Sequence, residues 1–176
     1  MVLNLDELVH QITLDGGVIR AVTKQHAHKH GLLHRVVLGE VRDVYGNVVL
    51  VRQAHDRQDA DLLVSPIGGH VRTDESVEQA MQREALEEIG ISGFSSSLVG
   101  EFAFTRRVLQ RLENHLFTVF LIRADPARFV LGSEATAIEV LPRSELLAHL
   151  ATSPGSFGGA FHALVAAGFT ELGLAQ

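Results

Sequence analysis

The sequence predicts an α/β domain, on three observations. Residues 36–41 and 48–51 are β-branched runs around Tyr45-Gly46-Asn47 turn chemistry, which reads as a hairpin in a central sheet. Between about residues 75 and 89, Val77, Ala80, Met81 and Ala85 recur at helical spacing and Gly90 supplies a stop. The 176 residues are 46% hydrophobic, which suits one folded domain, taken as residues 1–176, with a core of ordinary size.

In chain order, a hairpin-like start covers about residues 7–22. His26, His28, His30 and His34 follow at irregular spacing and read as a strand running into a loop, with surface or structural roles. After the 36–51 hairpin, residues 55–61 form a polar loop suited to the rim of a site. The helix opens with Thr73 or Asp74 as N-cap, and Glu75 and Glu78 suit the positive end of its dipole. Further strands are predicted at 98–104, 116–122 and 137–141. Helices start at Pro142 and near Ser156, where Phe157, Phe161, Leu164 and Val165 form a stripe best read as core.

Composition excludes several functions. A net charge of −6 argues against non-specific nucleic-acid binding, because a phosphate backbone attracts basic surfaces. No run of 18 apolar residues is present, and residues 1–16 carry acids where a secretory signal would be basic and then apolar, so a cytoplasmic protein without a membrane partner is expected. With no cysteine there are no disulfides.

The chemistry concentrates in residues 69–91. Gly69, Glu75, Arg83, Glu84, Glu87, Glu88 and Gly90 fall at fixed intervals, and seven such positions coincide by chance with odds of roughly 10⁻⁸ per reading frame at average composition. On a helix, Glu84, Glu87 and Glu88 stand at i, i+3 and i+4, so three like charges crowd one arc. Glu84 and Glu88 also fall inside the apolar stripe. A divalent ion that takes oxygen ligands, Mg²⁺ or Mn²⁺, would offset both the repulsion and the desolvation. Arg83 stands four residues before Glu87 and can pair with it, leaving Glu84 and Glu88 as direct ligands. Gly69 lets a backbone carbonyl approach the metal. The alternative is an acidic surface helix, which would turn these glutamates to solvent.

This segment resembles the signature of the Nudix hydrolases at every charged and glycine position. The resemblance implies an α/β/α sandwich around a mixed β-sheet and metal-dependent attack of water on a small-molecule substrate in which a diphosphate is linked to another moiety. It implies Gly69, Glu84, Glu87 and Glu88 as metal site, Arg83 as their support, and a general base at Glu87 or Glu134, the latter just before a predicted strand. It also places Arg52, at a strand end, where relatives often hold a phosphate-contacting base. A homodimer is left open.

A second, weaker likeness runs through His34-Arg35, Gly69-His70 and Glu113-Asn114-His115, and is similar to the isopentenyl-diphosphate isomerase-like branch. There a cysteine precedes the Gly-His pair. Here the place holds Gly68, so the thiol acid–base chemistry of the isomerase is not expected. That likeness makes His70 and His115 candidates for metal or substrate contact. A binding module that kept the fold and lost turnover is a further reading, and the intact glutamate set argues against it.

Overall fold

The computed structural model describes residues 7–108, 111–169 and 172, so the two extremes of the expected 1–176 domain lie outside the described residues. A hairpin of β1 (Leu8–Ile12) and β2 (Val18–Thr23) leads into α1 (Lys24–His30). Then come β3 (His34–Arg42), β4 (Val48–Gln53), β5 (Leu63–Val64), β6 (Ile67–His70) and α2 (Val77–Ile89). The long pair β7 (Ser96–Val108) and β8 (Arg111–Arg123) follows, then β9 (Ala135–Leu141), α3 (Arg143–Thr152) and α4 (Gly159–Ala167).

The nine strands form one mixed sheet organised around β3. β8 runs parallel to it, from His34 opposite His115 to Arg42 opposite Arg123, while β6 lies antiparallel on its other side, with Val37 opposite Gly69. The β3–β4 turn forms because the Asp43 carboxylate accepts hydrogen bonds from the backbone of Tyr45 and Asn47, and Gly46 takes φ +84°.

Successive strand residues face opposite ways, and this divides the core in two. Val36 and Leu38 of β3 join Leu50, Phe117, Phe157, Phe161 and Leu164 beneath α3 and α4. Val37 and Val41 join Ile67, Met81, Ala85, Ile89 and Phe120 beneath α2. The result is the α/β/α sandwich around a mixed sheet. Full burial of a side chain such as Met81 or Ile89 contributes about 1.5–3 kcal/mol, and this apolar anchoring lets α2 carry buried carboxylates as well.

Two expectations are corrected. α2 is capped by Ser76, not by Thr73 or Asp74. The Ser76 hydroxyl accepts from Gln79 N at 3.2 Å and the Gln79 side chain accepts from Ser76 N at 2.8 Å, a reciprocal box that starts the helix later. The histidine-rich segment is a helix, not a loop. Thr23 caps α1 by accepting from His26 N, and Gly31, at φ +61°, ends it.

Candidate active site

β6 and α2 build the centre of the site. Gly69 faces α2 so closely that a Cβ on it would fall on the Glu84 carboxylate. One residue earlier, Gly68 N donates to Glu88 Oε2 at 2.9 Å. The two glutamates occupy successive turns of α2 and so reach the same short strand. Glu84 is buried, Glu88 half-buried and Glu87 exposed at the rim.

Arg83 organises this edge. Its Nη2 donates to Glu75 Oε1 at 2.6 Å and to the His70 carbonyl at 2.9 Å, its Nε to Glu75 Oε2 at 3.0 Å, and its Nη1 to Glu84 Oε1 at 2.5 Å. Glu75, which lies before the helix, also accepts from Arg72 N. The expected Arg83–Glu87 pair is the longest of the set, at 3.5 Å. Glu87 is 52% exposed, so solvation competes with the ion pair, and Arg83 is held instead by Glu75 and Glu84.

Electrostatically the centre is strained. Burial pushes the Glu84 carboxyl up to about 7, with neighbouring Glu87 adding to the rise against the pull of Arg83. Burial raises Glu88 well above the usual carboxylate range, and Glu84 and Glu134 push it the same way. Such groups ionise readily only beside a cation. Their oxygens, with the carbonyl of Gly69 and no side chain intervening, form a hard donor set that fits Mg²⁺ or Mn²⁺.

These residues line a cleft of about 610 Å³. Glu134, in the turn before β9, also lines it and pairs with Arg57 at 3.0 Å. Arg52 stands outside the cleft wall. It pairs with Glu139 and donates to the Asp61 carbonyl at 2.7 Å, because β4 and β9 bring Arg52 and Glu139 together. Arg57 of the 55–61 loop is the cleft-lining arginine of that region, together with Lys24, Arg72, Arg106 and Arg111. Sequence reasoning passed over these cations, since nothing in their spacing marks them. Phe104 and Phe117 line the cleft, while Phe102 packs into the core beside them.

His70 leaves β6 on the face opposite Gly69 and meets His28, His34 and His115. Neither His26 nor His30, both exposed on α1, joins them. The gathering of four histidines was not read from the sequence; the six-residue step from His28 to His34 carries no local periodicity that would have signalled it.

Comparison with known proteins supplies the family context. The NUDIX domain model matches residues 32–157. The chain is 32% identical over 116 residues to an isopentenyl-diphosphate Delta-isomerase of Serratia proteamaculans, covering 64% of this chain and 63% of that protein. It is 36% identical over 70 residues to an 8-oxo-dGTP diphosphatase of Haemophilus influenzae, covering 40% and 51%. The matches thus span between half and two thirds of those relatives. A solved structure from Deinococcus radiodurans superposes with a TM-score of 0.72 at 20% identity, covering 90% of this chain and 96% of that one, a likeness of fold.

Proposed function

Because the chain belongs to the NUDIX domain family, we propose that it is a divalent-metal-dependent hydrolase that cleaves a diphosphate linkage, in a nucleoside diphosphate attached to another moiety or in a related small diphosphate. The observation that carries this reading is the convergence of the buried Glu84 and the half-buried Glu88 on the Gly68-Gly69 backbone, two carboxylates that need a cation. Glu84, Glu87, Glu88 and the Gly69 carbonyl would hold Mg²⁺ or Mn²⁺, which when bound supplies charge neutralisation on the diphosphate and a more acidic water.

The protein's own groups do the rest. Arg83 fixes the Glu84 carboxylate and the His70 carbonyl, so β6 and α2 keep their spacing. Arg57, Arg72 and Arg111 line the cleft and suit diphosphate oxygens. Glu87 and Glu134 both face the cleft, and either can take the proton of the attacking water as general base. His70 and His115 line the same cleft and stand within reach of a substrate. The reading treats residues 1–176 as one domain acting on a small molecule in the cytoplasm, and no described helix is long and apolar enough to cross a membrane.

The 32% identity to an isomerase favours a second reading, proton transfer on a prenyl diphosphate. Gly68 offers no thiol for it, although a Cβ there would make only ordinary contact with Leu38. One experiment separates the readings: a panel of nucleoside di- and triphosphates, dinucleotide polyphosphates, ADP-ribose, NADH, coenzyme A and prenyl diphosphates, assayed with Mg²⁺ or Mn²⁺. Diphosphate cleavage of any member supports the hydrolase. Isomerised product without cleavage supports the isomerase, and tight binding without turnover supports a binding module.

A further inference from the structure

We propose that Gly132 is a positioning residue: it lets the segment 130–134 dock on the end of α2, and that contact sets Glu134 in the cleft as the group that takes the proton of the attacking water. The inference rests on the hydrolase reading and deepens it, since it chooses between Glu134 and Glu87.

The docking answers a need of the helix. An α-helix leaves its last four carbonyls without a donor of its own. In α2 two of these are met from outside, Glu88 O by Gly132 N at 2.8 Å and Ile89 O by Val130 N at 3.0 Å. Phe129 and Leu131 pack on the core beneath α2, so apolar contact holds the segment as well as hydrogen bonds. Glu134 follows Gly132 by two residues, a length of chain that spans at most roughly 7 Å, and it therefore stays beside the last turn of α2.

Two glycines make the approach possible. Gly90 ends α2 at φ +71°, and a Cβ there would lie 2.9 Å from Val130 Cβ and 3.0 Å from the Val130 carbonyl oxygen. A Cβ on Gly132 would overlap the carbonyl oxygen of Glu87, which belongs to the helix backbone, so no rotamer relieves the clash. Gly132 lies outside the left-handed region, and an alanine there meets a problem of space alone. Non-bonded atoms sit best at roughly 3.5–4.0 Å, so the segment would withdraw by about 1 Å. It is the segment that yields, because α2 is anchored by Met81, Ala85 and Ile89, all fully buried.

The far side of Glu134 is fixed too. Its carbonyl accepts from Ala54 N at 2.8 Å, and the next residue, Ala135, opens β9 opposite Gln53. Its carboxylate pairs with Arg57 at 3.0 Å, but at 46% and 26% exposure water competes for both charges, so the backbone contacts decide where Glu134 stands. Glu87 and Glu88 open on the same cleft. Glu134 lies outside the ligand set proposed for the metal, whereas a carboxylate that holds a divalent cation gives up proton affinity to it. The base then falls to Glu134 and the metal to α2, with Gly132 as the joint that keeps the two in register.

The test compares full-length wild type, Gly132→Ala, Glu134→Gln and the double variant on the panel substrate cleaved fastest with Mg²⁺. Gly132→Ala should lower kcat by on the order of 10²-fold, as a displacement of about 1 Å does, with KM within threefold and the Mg²⁺-induced rise in melting temperature kept. Because Gly132 acts through Glu134, adding Gly132→Ala to Glu134→Gln should cost less than a further threefold. Losses that multiply, or a Mg²⁺ response lost in Gly132→Ala, would overturn the proposal by showing that the glycine serves α2 itself. A kcat of Glu134→Gln within threefold of wild type would overturn it and leave the hydrolase reading in place. Amide exchange in the wild type needs neither a variant that folds nor a substrate. Val130, Gly132 and Ala54 should show protection factors within about tenfold of one another and well above those of the exposed His55 and Asp56. A Gly132 or Ala54 amide as open as His55 and Asp56 would overturn the docking. A panel without cleavage fails the hydrolase reading alone, and the exchange data then decide whether Gly132 fixes Glu134.

Discussion

The Glu84 carboxylate occupies the space that a side chain at Gly69 would take. Backbone and carboxylate therefore approach as closely as two donors to one cation must. Gly69→Ala is expected to push Glu84 out of place and lower kcat at saturating metal by on the order of 10²-fold, the loss that follows a misplacement of about 1 Å at a reacting centre. The protein should still fold, since β6 keeps its ladder to β3. Steady-state kinetics beside circular dichroism check this, and kcat within threefold of wild type would remove Gly69 from the site.

Glu88→Gln keeps the shape of the side chain and deletes the charge. Turnover should fall by on the order of 10²–10⁴-fold, as commonly follows loss of an electrostatic or acid–base group. The fold should survive. Without metal, burial already favours the neutral form of Glu88, so the neutral amide should leave the melting temperature equal to or above that of wild type. A large drop in melting temperature would show that Glu88 supports the fold, not the chemistry.

Metal should stabilise the folded chain. Millimolar Mg²⁺ or Mn²⁺ binds only where the carboxylates are assembled, adding RT ln(1 + [L]/Kd) to stability. Differential scanning fluorimetry of stripped protein should show a rise in melting temperature that Glu84→Gln/Glu88→Gln abolishes. No shift at 20 mM of either ion counts against the glutamate site.

The stripped protein should be most stable near pH 6.5. Glu84, held at about 7 by burial, keeps its proton in the folded state over the range above 4.5 in which the unfolded chain loses it, so its contribution is lost as pH rises through about 7. Burial holds His28 down to about 4 and His115 to about 2, and lowers His34 and His70 too, so the unfolded chain gains protons below 6.5 that the folded one refuses. Stability from that source is lost as pH falls. Four histidines outweigh the two raised carboxyls on the acid side. Melting curves between pH 4.5 and 8.5 should trace the maximum, and Glu84→Gln, by removing a loss that accrues between pH 4.5 and about 7, should steepen the acid limb and move the maximum to higher pH. A flat profile in wild type would contradict these shifts.

The sequence by itself determined the α/β class, the β3–β4 hairpin, the strands β7 to β9 and the carboxylates of α2, because each is written in a local pattern. These are a period of two or 3.6, a turn residue, or a charge set within one helical turn. Glu84 could be placed on the buried stripe from spacing alone, and Glu88 at its half-buried edge. Tertiary structure decided what spacing does not encode. Arg83 chose Glu75 and Glu84 over Glu87 because the turn before α2 folds back beside it, and Arg52 was turned to Glu139 by the pairing of β4 with β9. The histidine quartet assembles from positions 28, 34, 70 and 115 through a parallel and an antiparallel register that meet on β3, and a register is set by contacts between distant strands, which no local period records.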